Sequence, residues 1–206
     1  AESEAFLADQ SADKRAKRID HLLSSTDYAD FFANKWSAIL RNKRRKEEDK
    51  VATYGFHHWI RESLHQNKPY DQFVRAVLTA SGNPASNPAV GWYREVKDAS
   101  AQVEDTAQLF LGLRIQCARC HHHPFEVYSQ ADYYGLAAFF TRLQSKTSDA
   151  FGELGFDAVV SLKSTGEIRH PRTGQVVPPT PLLTDPIDAS TVVDLRQPLV
   201  DWLLDP

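Results

Sequence analysis

A mainly α protein with a small C-terminal β-hairpin is the fold class that the sequence predicts, and three observations carry it. Apolar residues recur at helical spacing through most of residues 14–147. Ser and Asp stand three apart, in the manner of a capping box, in front of two of those runs. Beyond Thr147 the texture changes to a β-branched segment, a Thr-Gly turn and a Pro-rich strip. With 206 residues, 42% of them hydrophobic, the chain is long enough to bury a core without disulfide staples. A net charge of −3 and a pI near 6.3 give no global reason to bind nucleic acid. A mean hydropathy of −0.45, with no apolar run near ~18 residues, speaks against a membrane span.

The expected organisation is a flexible N-terminal segment over 1–13, a helical domain over 14–147, and an extension over 148–206. The small polar residues of 1–13 are expected to fray. Helical spacing then begins, and from Asp27 to about Arg41 the residues Tyr28, Phe31, Phe32, Trp36, Ile39 and Leu40 predict a helix, with Ser24 and Asp27 as its capping pair. The basic run Arg41 to Lys46 passes into acidic Glu47-Glu48-Asp49 and reads as a solvated helix end and linker, with docking of an acidic partner as the rival reading. A helix is predicted over about Ala52–Gln66. After Pro69 another runs over about Asp71–Ala80, with Phe73, Val74, Val77 and Leu78 on one stripe.

Residues 81–88, rich in Ser, Gly, Asn and Pro, predict a loop. Val103, Ala107, Phe110 and Leu111 share one face of a helix from about Ala99 to Gly112. Ser129 and Asp132 cap a helix expected to pass through Tyr133, Ala137, Phe140 and Leu143. Ala158–Leu162 and Glu167–Val177, the latter with Thr173-Gly174, predict the hairpin. Four prolines between 178 and 186 predict extended chain, and Leu195–Leu204 a short terminal helix.

The chemistry-bearing stretch is Cys117-Ala118-Arg119-Cys120-His121-His122-His123-Pro124-Phe125. It contains Cys-x-x-Cys-His, the attachment signal of a c-type haem. Thiols three residues apart on one turn can each add to one vinyl group of a single haem, and the following His121 then lies under the iron as its axial ligand. Three rivals use the same residues. Zinc takes Cys117, Cys120 and His121 or His123, and needs a remote fourth ligand. A dithiol of thioredoxin type belongs at a strand-to-helix junction, whereas helix precedes Cys117. Finally, two cysteines can simply pack, as small apolar residues do.

The chain has no Met, so a His/Met iron pair is impossible within it. Residues two apart in sequence span only about 7 Å, so neither His122 nor His123 can face His121 across one iron. Of the other histidines, His57 lies at the edge of the apolar face formed by Phe56, Trp59, Ile60 and Leu64, while His58 and His65 point the opposite way. His57 is therefore the favoured sixth ligand of this chain. His123, ahead of Pro124, reads as a supporting hydrogen-bonding residue, and Phe110, Phe125, Tyr133 and Phe140 as apolar walls. The missing Met at position 1 reads as a piece of a longer precursor whose targeting signal is gone.

Thr106-Ala107-Gln108-Leu109-Phe110-Leu111-Gly112, the Cys-x-x-Cys-His stretch through Phe125, and Asp132-Tyr133-Tyr134-Gly135-Leu136-Ala137-Ala138-Phe139-Phe140 together resemble the planctomycete-type cytochrome c-like family known as domain of unknown function 1549. Trp36 and Pro69-Tyr70-Asp71-Gln72-Phe73-Val74 look like its earlier landmarks. His170-Pro171-Arg172-Thr173-Gly174 and Leu195-Arg196 to Trp202-Leu203 resemble its transition into a second uncharacterised domain. The resemblance implies a helical, cytochrome c-like module of a larger extracytoplasmic (periplasmic) protein. It carries over Cys117, Cys120 and His121 and, more loosely, His123, Pro124 and Phe125. The basic run and the pair His57-His58 depart from the family pattern.

The expected function is electron transfer by one covalent haem c, with a redox partner protein or adjoining domains of the same parent chain as partners. The alternatives are a zinc-binding or purely structural module, and a peroxidase-like haem enzyme with an open sixth position. No paired carboxylates point to a glycosidase.

Overall fold

The computed structural model describes residues 2–47, 49–147 and 158–205. The protein is mainly helical, with two small two-stranded antiparallel sheets in its C-terminal third. The N-terminal residues form α1 (Glu2–Ala8) and α2 (Lys14–Leu23), neither of which buries a side chain. In α3 (Thr26–Ile39) the cap is Ser25 and not Ser24: its hydroxyl accepts from the Tyr28 amide, while the Ser24 hydroxyl turns back to the His21 carbonyl. The helix stops where Arg41 takes a positive φ of 55°. A side chain is costly in that conformation, and here it is held by an ion pair from Arg41 to the buried carboxylate of Asp105.

The helix α4 (Lys50–His65) lies against α3 and against a 3-10 turn over Pro88–Arg94. That turn begins on a proline and buries five consecutive residues, Ala89 to Tyr93. Gly91 permits the crossing, because a Cβ there would stand 2.7 Å from the Phe56 ring. The helix α5 (Tyr70–Leu78) starts after Pro69, whose missing N–H costs nothing at a helix start. These elements close a first core in which Trp59 stacks on Phe73 at 5.1 Å and Trp36 meets Phe73 edge-on at 5.2 Å.

Asp98 caps α6 (Ala99–Phe110) by accepting from the Ala101 amide, and Gly112 follows its end at φ 70°. Ser129 and Asp132 form a reciprocal capping box on α7 (Gln130–Ala138), as the spacing predicts. That helix ends five residues earlier than expected. Phe139, Phe140 and Thr141 lose side-chain freedom in a helix, and the Thr141 hydroxyl and amide both turn back to the Ala138 carbonyl. Leu143 accordingly opens β1 (Leu143–Thr147), which pairs with β2 (Ala158–Leu162), Leu143 opposite Leu162. Ala158–Leu162 is therefore not a strand of the predicted hairpin. That hairpin is β3 (Ile168–Arg169) with β4 (Val176–Val177), its turn carrying Gly174 at φ 69°.

The boundary expected at 147/148 adjoins residues 148–157, which lie outside the described residues. Either side of it the chain packs into common cores. Val160 and Val200 belong to the first, and Leu182, Leu195 and Leu199 to a second built around Val103, Ile115, Tyr133, Leu136 and Phe140. In α8 (Arg196–Leu203) the Arg196 side chain is fully buried. It donates to the carbonyls of Leu78 and Ala80, to the Tyr93 hydroxyl and to Asp194. The basic run is largely neutralised within the protein, Arg41 by Asp105, Arg44 by Glu47 and Arg45 by Glu95.

Candidate haem-attachment site

After α6 the chain turns at Gly112 and enters a 3-10 turn over Ile115–Arg119. Ile115 and Ala118 point into the second core, which leaves Cys117 and Cys120 on the solvent side. Both thiols are free. The turn packs on α6 and α7, so the cysteines sit between two helices and not at a strand-to-helix junction. The Cys120 and His121 amides both point to the Cys117 carbonyl, at 3.3 and 3.4 Å.

The three consecutive histidines are in different states, and their partners set each one. A carbonyl oxygen only accepts, so the 2.6 Å contact of His121 Nδ1 with the His122 carbonyl puts the hydrogen on Nδ1. The neutral ring then keeps its lone pair on Nε2. His122 Nδ1 accepts from the Gln130 amide at 3.4 Å, so its hydrogen is on Nε2. His123 is spanned by main chain on both sides: Nε2 donates to the Arg114 carbonyl at 3.1 Å, and Nδ1 accepts from the amides of Phe125 and Glu126. Its own amide donates to the Tyr128 carbonyl at 2.8 Å. His123 thus ties the loop together, and its ring nitrogens are occupied.

The aromatic residues divide. Tyr133 and Phe140 are buried in the second core, whereas Phe125 is 91% exposed and Val127 77%. A surface cleft of about 310 Å³ runs beside the turn, with Leu113, Ile115, His123, Phe125 and Tyr128 along it. Beneath the turn the Tyr133 hydroxyl donates to Glu104 at 2.8 Å, and Arg119 approaches the same carboxylate at 3.8 Å. Burial, aided by that carboxylate, pushes the Tyr133 phenol well above the usual tyrosine range.

The structure does not bring His57 to this site. Its Nε2 meets Asn34 of α3 at 3.2 Å, where α4 packs on α3. Among the described residues no group of three or more His, Cys, Asp or Glu side chains is placed to share a metal ion. Sequence reasoning missed two residues at the site. Gln130 donates through Nε2 to the Arg119 carbonyl at 2.8 Å, and the Tyr134 hydroxyl donates to the same oxygen at 3.3 Å. The only signal was their position in the first turn and a half of the helix behind the motif.

Comparison with curated proteins and with solved structures finds no match. Residues 1–145 match the model of a family described as PSCyt2, protein of unknown function (DUF1549). With the Cys-x-x-Cys-His turn inside that match, this chain belongs to the DUF1549 family.

Proposed function

We propose that this protein is a module that carries one covalent haem c and transfers electrons to a partner protein or adjoining domain in an extracytoplasmic compartment. The observation that carries the reading is the state of the motif: two free, solvent-facing thiols on one turn, followed by a histidine whose Nδ1 hydrogen is committed to a carbonyl. Those are the donors the group needs. Cys117 and Cys120 would hold the haem through thioethers, each formed by addition of S–H across one vinyl group with no net oxidation. His121 offers Nε2 to the metal, and its hydrogen-bonded Nδ1 fixes the ring orientation and raises its basicity. Bound haem would supply a one-electron couple. Phe125 and Val127 offer apolar surface on the adjoining loop, which the hydrogen bonds of His123 hold in shape.

Zinc is the weaker reading, because it needs four converging donors and both His123 ring nitrogens are taken by main chain. The test is expression in a host that matures c-type cytochromes, followed by intact-mass and metal analysis. One haem per chain, lost in Cys117→Ser/Cys120→Ser, is expected. A haem-free chain with one zinc would replace the proposal by the zinc reading.

A further inference from the structure

The axial histidine of a haem-attachment motif must be aimed as well as present, and the residue that aims His121 lies outside the motif. We infer that Gln130 is the positioning residue of His121: its side chain holds the main chain just before Cys120, its backbone amide holds the His122 ring just after His121, and together they select the His121 ring form that keeps the Nε2 lone pair. This deepens the haem reading of the preceding section and rests on it for its purpose.

Gln130 is 3% exposed and occupies the first position of α7, where the Ser129/Asp132 box fixes its main chain. Its side-chain amide reaches back 11 residues and donates to the Arg119 carbonyl at 2.8 Å, which sets the plane of the Arg119–Cys120 peptide. Its backbone amide, one of those left unpaired at a helix start, points to His122 Nδ1 at 3.4 Å. The carbonyl of that same His122 receives the Nδ1 hydrogen of His121. One residue therefore grips the main chain just before Cys120 with its side chain and the His122 ring just after His121 with its backbone amide. Tyr134 adds a longer bond of 3.3 Å to the Arg119 oxygen. Gln102 is a natural control. It is 4% exposed and donates through Nε2 to the Val96 carbonyl at 3.0 Å, ahead of α6 and away from the motif.

A nitrogen-15 imidazole spectrum of the haem-free protein near pH ~8.5, about two units above the usual model-peptide histidine value, reports which ring nitrogen of His121 carries hydrogen. In the parent protein the Nδ1–H form of His121 is expected in about tenfold excess or more. Gln130→Met, nearly the same length without the amide, is expected to bring the two forms to comparable populations. Gln102→Met is expected to leave His121 unchanged. Should Gln130→Met fail to fold, Gln130→Asn, which keeps the amide one carbon too short, is expected to give the same change. Once haem is attached, the Gln130 variants are expected to retain it through Cys117 and Cys120 but to shift the reduction potential and the iron–histidine vibration. An Nδ1–H excess that survives removal of the Gln130 amide, or that Gln102→Met erodes equally, would overturn the inference. The imidazole readout needs no haem, so a colourless protein would sink the cytochrome reading while leaving the role of Gln130 open to the same spectrum.

Discussion

Hydrogen-bond partners, more than residue types, distinguish the three histidines of this motif. In the sequence His121, His122 and His123 are alike, and only their order after Cys120 separates them. In the structure one keeps a lone pair toward solvent, one accepts from a helix start, and one is enclosed by main chain. The spacing singles out Cys117, Cys120 and the histidines that follow, but it could not reveal Gln130, whose side chain acts on a carbonyl 11 residues away. His57 was placed correctly at the edge of its helix face. A wheel says nothing about what the edge faces, and it faces Asn34.

Asp105 supplies a test at the same scale. Burial raises its carboxyl above the ordinary range, against the opposing pull of Arg41. The folded protein thus binds this proton more tightly than the unfolded chain. Between the ordinary aspartate value and the raised one, this group makes stability fall as pH rises. Thermal melts of the parent and Asp105→Asn across acidic to neutral pH are expected to show the parent gaining on the variant as pH falls through that window. Curves that stay parallel would deny Asp105 the role.

At the scale of elements, helix positions were legible because apolar spacing and capping residues are local signals. The α7 capping box is one case, and the Gly112 turn after α6 is another. Strand partnership was not legible. Ala158–Leu162 reads as a strand, but its partner begins at Leu143, on which the helical spacing from Tyr133 also falls. The Pro88–Arg94 turn was also missed as a core element, since a short 3-10 segment has no long period to read. Its Gly91 is the point to test. Gly91→Ala drives a Cβ to 2.7 Å from the Phe56 ring and 2.8 Å from the Phe56 Cβ, the near end of a buried side chain that cannot swing away. A loss of about 1–3 kcal/mol is expected from denaturant unfolding, with no change in thiol accessibility at Cys117 and Cys120. A neutral substitution would mean that the Phe56 contact is not tight.

Across the whole molecule, the stretch that identifies the family is smaller than the stretch that packs as one unit. The match ends at residue 145, yet Val160, Leu182, Leu195, Leu199 and Val200 complete both cores. Arg196 ties the last helix to α5 and to the Pro88–Arg94 turn. The sequence showed an amphipathic terminal helix but gave no sign that its arginine is buried, because a charged residue ordinarily reads as surface. A chain cut after residue 145 is expected to lose cooperative unfolding, read as a broad thermal transition. Arg196→Met, which takes the donors from Asp194 Oδ2 and from the Ala80 carbonyl, is expected to cost about 3–5 kcal/mol in denaturant unfolding. A sharp transition in the truncated chain would show that the first 145 residues suffice.

The claim on which the functional account turns is that Cys117 and Cys120 hold haem. The most direct measurement is a reduced pyridine haemochrome spectrum, with a haem stain on a denaturing gel, of the chain exported from a host able to mature c-type cytochromes. The account expects the reduced bands of a c-type haem that stays with the polypeptide through denaturation and disappears when both cysteines are replaced by serine. A folded, colourless chain from that host would contradict it.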